Sequence, residues 1–454
     1  MRLDLKYGFL TFVALLAVAG CREVLEPRPN NVLTADIVLT SPEDVPAVRV
    51  GLYGAVRGTA PLTVVAGDLT ADMATHNGTF TVYNELGNKR ITAANGAASA
   101  FWGSLYQVVY IANFIQERLP RLTSVPQAQR NELLAEASLM EGYAYFMAAH
   151  TFGDVPMATS TAVEANRNLP RVPRAQVLDS ALRYMQRAFP NLPDSASAIT
   201  AFASKDVANA MLARFYLYNR NWQEAENYAN RLINASRFRL ESSFERVITR
   251  EFDSETIFEA GFGNTSNDDP GTSTFGLNNI FLGRREVIPS NEFLLLILNQ
   301  ESGERRLTVT FDFSRQRGSD NGFSVSKYSG PDEGFNNVTL FRLPEMYLIR
   351  AEARARQGNL AGAAADVNVL RRRAKAPELT VGNQADMLAA IERERVYELA
   401  FEGHRWYDLV RTGRAGAVMS AFSSNWREAY ERWPVPQTEI QRNPALRGQQ
   451  NPGY

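Results

Sequence analysis

Ala213-Arg-Phe-Tyr-Leu-Tyr-Asn-Arg-Asn221-Trp-Gln-Glu-Ala225 can be laid over Ala351-Glu-Ala-Arg-Ala-Arg-Gln-Gly-Asn359-Leu-Ala-Gly-Ala363, with alanine, asparagine and alanine at matching places. Beyond them, Trp222, Ala225, Ala229 and Leu232 keep the spacing of Leu360, Ala363, Val367 and Leu370. Steps of three and four gather these side chains on one helix face, and small alanines let two helices approach closely. Asn221 and Glu224 predict a capping box, and Gly358–Asn359 can close one helix and cap the next. Each copy therefore reads as a helix, a tight polar turn and a second helix. Such tetratricopeptide-like units bury their apolar faces by stacking on one another.

Outward from this repeat the same periodicity continues. Phe101, Leu105, Val108, Ala112 and Ile115 trace one helix face that stops before Pro120; Leu133, Ala137, Met140, Ala144 and Met147 trace another, ended by Gly153 and Pro156. The pairs 101–150 and 386–413 supply two further units, so about four are expected. Residues 59–98 and 261–340 differ in character, being rich in Gly, Asn, Ser and Thr with scattered aromatics. Stretches such as Ile257-Phe258-Glu259-Ala260 predict a few short strands there. The expected fold is mainly α, tetratricopeptide-like helical-hairpin repeats with a long irregular, partly β loop subdomain. The body spans 41–454, with an N-terminal half to about 240 and a C-terminal half from about 255, as one compact unit. Rigid helices carrying long irregular loops are the layout of a binding protein.

The composition narrows the function. Across 454 residues, 48 Lys and Arg balance 49 Asp and Glu, so the net charge is −1. No strong field attracts nucleic acid or an anionic membrane. One cysteine and three histidines cannot supply a zinc site of closely spaced ligand pairs, nor an intrachain disulfide.

The N-terminus has its own logic. Arg2 and Lys6 precede an apolar run from Gly8 to Ala19, too short to span a bilayer but suited to a signal peptide. The run ends Val18-Ala19-Gly20-Cys21, which looks like a bacterial lipobox, with the only cysteine at the cleavage point. Residues 1–20 are expected to be removed, and Cys21 to be acylated at the head of a flexible tether, 21–40. Loss of Arg2, Lys6 and Asp4 leaves 46 basic and 48 acidic residues. The lipid is then the chain's sole hold on the membrane.

Several passages resemble one family. Ala135-Glu136-Ala137 through Tyr143-Ala-Tyr-Phe146 and Phe152-Gly-Asp-Val-Pro156 resemble the helix and exit turn of SusD/RagB proteins. Arg342-Leu-Pro-Glu345 to Ala351-Glu352-Ala353 resembles their C-terminal helix opening. The stretch from Glu392 through Glu398, Glu402-Gly403-His-Arg405, Asp408 and Arg411 is close to their most recognisable motif, and Trp433-Pro-Val-Pro436 and Asn451-Pro-Gly-Tyr454 resemble their ending. After Ala137 this chain has Ser138 and Glu141 where the family usually carries basic residues. The resemblance implies an outer-membrane lipoprotein facing the cell exterior over a TonB-dependent, SusC-like barrel. It further implies capture of an oligosaccharide, or in some members a peptide, and delivery into that barrel.

The chemistry-bearing residues fit binding better than catalysis. Glu394, Glu398 and Glu402 fall at i, i+4 and i+8, with Arg393, Arg395, Arg405 and Arg411 around them. Two carboxylates could serve a glycosidase, but the cations favour an ion-pair network, and Arg342, Glu345, Glu352, Gly403, Asp408 and Arg411 read as structural in the same way. Gly261-Phe-Gly263 runs into Asp269–Pro270 and makes no dinucleotide loop; no Walker loop or Gly-x-Ser-x-Gly elbow is present. Asn267, Asp268 and Asp269 lack an EF-hand's alternation. No catalytic residue, cofactor or metal is expected. The ligand candidates are Asn77, Phe80, Tyr83, Asn84 and Arg90 in the first loop, and Phe275, Asn278, Asn279, Phe281 and Arg284 in the second. Sugars stack their C–H faces on rings and take hydrogen bonds from amide and guanidinium groups. The competing reading for any one aromatic is that it anchors its own loop. Trp102 and Trp406, on helices, are expected in the core. The alternatives to glycan capture are a peptide-binding member and an interaction scaffold without a nutrient.

Overall fold

In the repeat, Asn221 accepts a hydrogen bond from the Glu224 amide (3.2 Å) and Asn359 one from the Gly362 amide (2.9 Å). The first cap is one-sided, because the Asn221 N–H donates to the Tyr216 carbonyl and leaves the expected reciprocal box unmade. Ala213, Ala225, Ala229, Ala351 and Ala363 are buried where the helices meet. This computed structural model describes residues 39–194, 200–262, 275–328, 337–380 and 382–454. The signal segment, Cys21, nearly all of the tether and Asn267–Asp269 lie outside the described residues.

The helical stack runs α1 (Val45–Val64), α2 (Gly96–Arg118), α3 (Gln127–Thr151), α4 (Arg174–Ala188), α5 (Lys205–Tyr218), α6 (Trp222–Ile233), α7 (Leu343–Arg356), α8 (Leu360–Arg373), α9 (Gln384–Glu398) and α10 (Arg405–Arg411). Hairpins α2/α3, α5/α6 and α7/α8 pack as expected, and α6 against α7 joins the two halves. The fourth unit is abbreviated, since α10 has only 7 residues. The helices α1 and α4, absent from the sequence reading, extend the stack by packing on α2 and α3. Arg187 of α4 reaches across to Ser138 Oγ and Gln116. Trp102 and Trp406 are in the core, as expected. Among the described residues no helix is long and apolar enough to cross a membrane.

Among the described residues four two-stranded antiparallel sheets lie beside the stack: β1 (Ala74–His76) with β5 (Val287–Pro289), β2 (Val155–Pro156) with β3 (Arg171–Val172), β4 (Thr256–Ala260) with β8 (Val338–Arg342), and β6 (Val309–Phe311) with β7 (Phe323–Val325). The first excursion begins later than its composition suggests. Residues 59–64 finish α1, Val65–Leu69 continue as a wider π turn, and this whole stretch is buried. Pro61 lies inside α1, and a proline removes one rung of the hydrogen-bond ladder.

Buried ion pairs tie the C-terminal half together. At the end of β8, Arg342 contacts Glu255 (2.9 Å), Glu398 (2.7 Å) and Glu402 (2.8 Å). Glu398 also meets Arg373 and Arg305, while Glu394 takes Arg305 and Arg371, and Glu402 takes Lys327. Burial works to raise the Glu398 carboxyl; Arg373, Arg342 and Arg305 overcome it and hold the group well below the usual carboxylate range. The three carboxylates are thus structural, but two details differ from expectation. α9 ends at Glu398, so Glu402 sits in the following turn. Their partners come from distant elements. Of the nearby arginines, Arg395 pairs with Asp408, Arg405 with Asp72 and Glu392, and Arg411 with Glu352 and Asp408. Arg214 grips Glu345 through two bonds (2.6 and 2.7 Å) and lies 3.7 Å over the Phe341 ring.

Removing one member of a buried pair strands the remaining charge at a cost of about 3–5 kcal/mol. Arg342→Met should therefore lose that much stability in chemical denaturation or fail to fold, whereas Arg167→Ala, on the exposed pair with Glu164, should leave the midpoint unmoved. A second expectation concerns pH. Burial pushes the Glu259 carboxyl on β4 up to about 8. A folded-state value above the ordinary one gives stability that is complete below the ordinary carboxylate range and lost as pH climbs through about 8. Glu259→Gln should flatten the fall in melting temperature between pH 6 and 9 that the parent protein shows.

Candidate binding site

The two excursions are joined. Strand β1 from the first pairs with β5 from the second, with Ala74 opposite Pro289, Thr75 opposite Ile288 and His76 opposite Val287. Two contacts set the base of this junction. Asp68 accepts the backbone N–H groups of Gly403 (2.5 Å) and Arg405 (3.1 Å), and the Arg405 guanidinium forks onto Asp72 (2.8 and 2.9 Å). Gly67 and Gly403 meet backbone to backbone; a Cβ on Gly67 would fall 2.2 Å from the Gly403 carbonyl. The first excursion is thereby seated on the turn between α9 and α10.

Beyond the sheet, Glu286 organises the tip. One carboxylate oxygen accepts the backbone N–H groups of Thr79 and Phe80 (both 2.8 Å), and the other accepts Arg284 Nε (2.8 Å). Burial acts to raise this carboxyl, but the Phe80 amide, Arg284 and the Thr79 amide together hold it below its ordinary value. The chain at Gly78 passes so close that a Cβ would lie 2.2 Å from the Glu286 carboxylate. The half-exposed Arg284 guanidinium lies 4.1 Å over the Phe80 ring and donates to Thr79 Oγ1 (3.1 Å). A ring, a cation and a hydroxyl from two excursions 200 residues apart thus form one partly solvated platform.

The candidates divide around that platform. Phe80 and Arg284 form it, and Asn84 and Arg90 are exposed on the same excursion as Phe80. Asn84 Nδ2 lies 3.4 Å from His76 Nδ1. Phe275 is half-buried and meets Tyr83 edge to face (6.4 Å between centroids). Asn77 donates to the Arg285 carbonyl (3.1 Å) and Asn278 to the Tyr328 carbonyl (2.9 Å), so their amide nitrogens serve the loops. Asn279 opens the π turn Asn279–Gly283 and accepts the Arg284 amide through its carbonyl (2.9 Å). Tyr83 and Phe281 are 0 % exposed. That corrects their placement among ligand contacts: Tyr83 packs under Phe80, and Phe281 packs on Tyr328 and Phe401.

Three residues that matter here were missed in the sequence. Glu286 holds the tip, Arg285 forks onto Asp320 (2.7 and 3.0 Å), and His76 keeps a buried Nε2 with no partner among the described residues. Burial lowers the His76 pKa, favouring the neutral ring. The available signal was the Arg284-Arg285-Glu286 triplet directly before the apolar Val-Ile-Pro strand. Among the described residues no cluster of His, Cys, Asp and Glu could hold a metal ion.

The family pattern described as "SusD family" matches residues 309–454, and that described as "Starch-binding associating with outer membrane" matches residues 25–217. A SusD-like protein of Formosa agariphila is 26% identical across 97% of this chain and 96% of its own length. The starch-binding protein SusD of Bacteroides thetaiotaomicron is 33% identical over 29% of this chain and 24% of its own. Among solved structures, a laminarin-binding SusD-like protein superposes with TM-score 0.79 at 22% identity, covering 92% of this chain and 100% of that one. A SusD superfamily protein of Bacteroides thetaiotaomicron gives 0.77 at 23%, covering 91% and 100%. Two family patterns at the two ends, a relative matched along nearly the full length and a shared fold agree, and the chain belongs to the SusD/RagB family.

Proposed function

We propose that this protein captures an oligosaccharide at the outer-membrane surface without cleaving it, and delivers it to a TonB-dependent, SusC-like barrel. One observation carries the reading: β1–β5 pairing brings the two ring-bearing excursions together and leaves the Phe80–Arg284 platform open to solvent. The half-exposed guanidinium, oriented by the Phe80 ring beneath it and with the Asn84 amide nearby, supplies hydrogen bonds to sugar hydroxyls, and the part of Phe80 left open beside it gives an apolar contact. Related proteins named for starch and laminarin binding support a glucan as the first ligand class to try. The carboxylates most suggestive of hydrolysis, Glu394, Glu398 and Glu402, are all committed to buried cations. An acyl group on Cys21, joined through the tether, holds the body at the membrane.

Calorimetry with maltoheptaose and laminarin oligosaccharides should give saturable binding of at least one, with no product by chromatography after long incubation. Phe80→Ala and Arg284→Ala should each weaken it about tenfold, ~1.4 kcal/mol, measured at a temperature where each variant is folded, because Arg284 also pairs with the buried Glu286; Arg284→Lys, which keeps a cation there, should recover part of the affinity. Binding to peptides with none to either glucan, or unchanged affinity in both variants, would overturn the assignment. Separately, Cys21→Ala should move the protein from the membrane fraction to the soluble one; full retention would refute the lipid anchor.

A further inference from the structure

The C-terminal repeat holds a second polar site, away from the excursions. A cavity of about 190 Å³ opens between α7, α9 and α10. Arg395 lines it and is 3% exposed. Its Nε is spent on Asp408 Oδ2 (2.7 Å), but neither terminal nitrogen has a partner among the described residues. Buried donors without acceptors are costly, so an acceptor supplied through the cavity would relieve both.

The charge around it says which kind. Arg356, Arg395, Arg411 and Arg414 line the cavity against three carboxylates, Glu352, Glu392 and Asp408. The acids are already engaged. Glu352 takes both terminal nitrogens of Arg411 (2.8 and 2.7 Å), Asp408 takes Arg411 and Arg395, and Glu392 takes Arg405 and Arg414. Arg356 reaches Glu352 only at 4.0 Å and keeps a partly solvated guanidinium. An adjoining cavity of about 240 Å³ shares Glu352, Arg356, Arg411 and Thr412, and adds Arg220 with no further carboxylate. Trp222 forms its wall, 5.4 Å beneath the Arg356 guanidinium. The excess of cations and the two orphaned Arg395 donors describe a receptor for an anion with several acceptor oxygens, for which planar guanidinium groups are well shaped.

We propose that this cavity binds a small oxyanion, a sulfate, phosphate or carboxylate group, which accepts hydrogen bonds from the terminal nitrogens of Arg395 and is flanked by Arg356 and Arg414. The site is independent of the glycan platform and can be tested apart from it. Titrating the detergent-solubilised full chain with sodium sulfate, against sodium chloride at matched ionic strength, should give saturable heat and a raised melting temperature, with sodium phosphate competing. Arg395→Lys keeps a charge beside Asp408 but removes the forked donors, and should abolish the binding. Because that buried change could also unfold the chain, the more exposed pair Arg356→Gln with Arg414→Gln serves as the second variant. It should weaken sulfate at least tenfold while leaving the sulfate-free melting temperature unchanged. Glucose 6-sulfate and galacturonic acid then separate the sources: binding of either assigns the site to a sugar-borne anion, and binding of inorganic ions alone assigns it to a free one. No saturable heat above the chloride control with any probe, meaning that water satisfies Arg395, or equal affinity in the double variant, would overturn the proposal.

Discussion

Arg342 is the point on which the C-terminal half closes. Its three carboxylate partners are 87, 56 and 60 residues away in sequence, and all four side chains are withdrawn from water. In such surroundings an ion is tolerated only if every exposed lone pair and proton is met. The neighbouring arginines and lysine meet most of that requirement for the acids; Glu398 Oε2 has no hydrogen bond among the described residues and faces Arg305 at 3.6 Å. The net stabilisation of such a cluster over an apolar core is modest, but its geometric demand is severe. β8, the turn after α9 and Glu255 in the turn before β4 must arrive together, because a shift of any one strands a charge. The cluster therefore ties the register of these elements to one another.

That register passes directly to the binding face. The turn that supplies Glu402 also supplies Gly403 and Arg405, which receive Asp68 and Asp72 at the base of the first excursion. From there β1 is only two residues on, and its pairing with β5 aligns the second excursion. The chain of contacts from Arg342 to Phe80 is short, with charge-assisted bonds at its base and its tip on either side of the β1–β5 ladder, and such bonds hold geometry better than neutral ones. A platform built on such a base is held in one arrangement by the fold, which for the capture proposed above lowers the ordering entropy lost on binding.

The helical frame was legible in the sequence because its signal is local. Ala213, Ala225, Ala351 and Ala363 declare close-packed faces within a span of thirteen residues, and Asn221 and Asn359 mark the turns between them. The partners of Glu394, Glu398 and Glu402 were not legible for the opposite reason. Their spacing announces a common face, but Arg305, Arg342 and Arg373 come from segments whose positions only the tertiary fold determines. Even the nearby arginines mislead, since Arg395 and Arg411 turn to Asp408 and Glu352. The start of the first excursion was misplaced because Thr59 to Leu69 is rich in small and polar residues, yet it continues α1 through Pro61 into a π turn and is buried.

Within the excursions the difficulty is deeper, since one residue type serves two ends. An irregular segment lacks the ladder of a helix or sheet and must bury aromatics of its own to hold a shape. Tyr83 and Phe281 do that, and nothing in their local sequence sets them apart from Phe80. The distinction arises from Glu286, which draws the backbone of Thr79 and Phe80 down onto the second excursion and so leaves the Phe80 ring at the surface under Arg284. A carboxylate that binds main-chain amides decides which ring is anchor and which is platform. In these two excursions the acid beside a short apolar strand thus marks the platform better than the aromatics do.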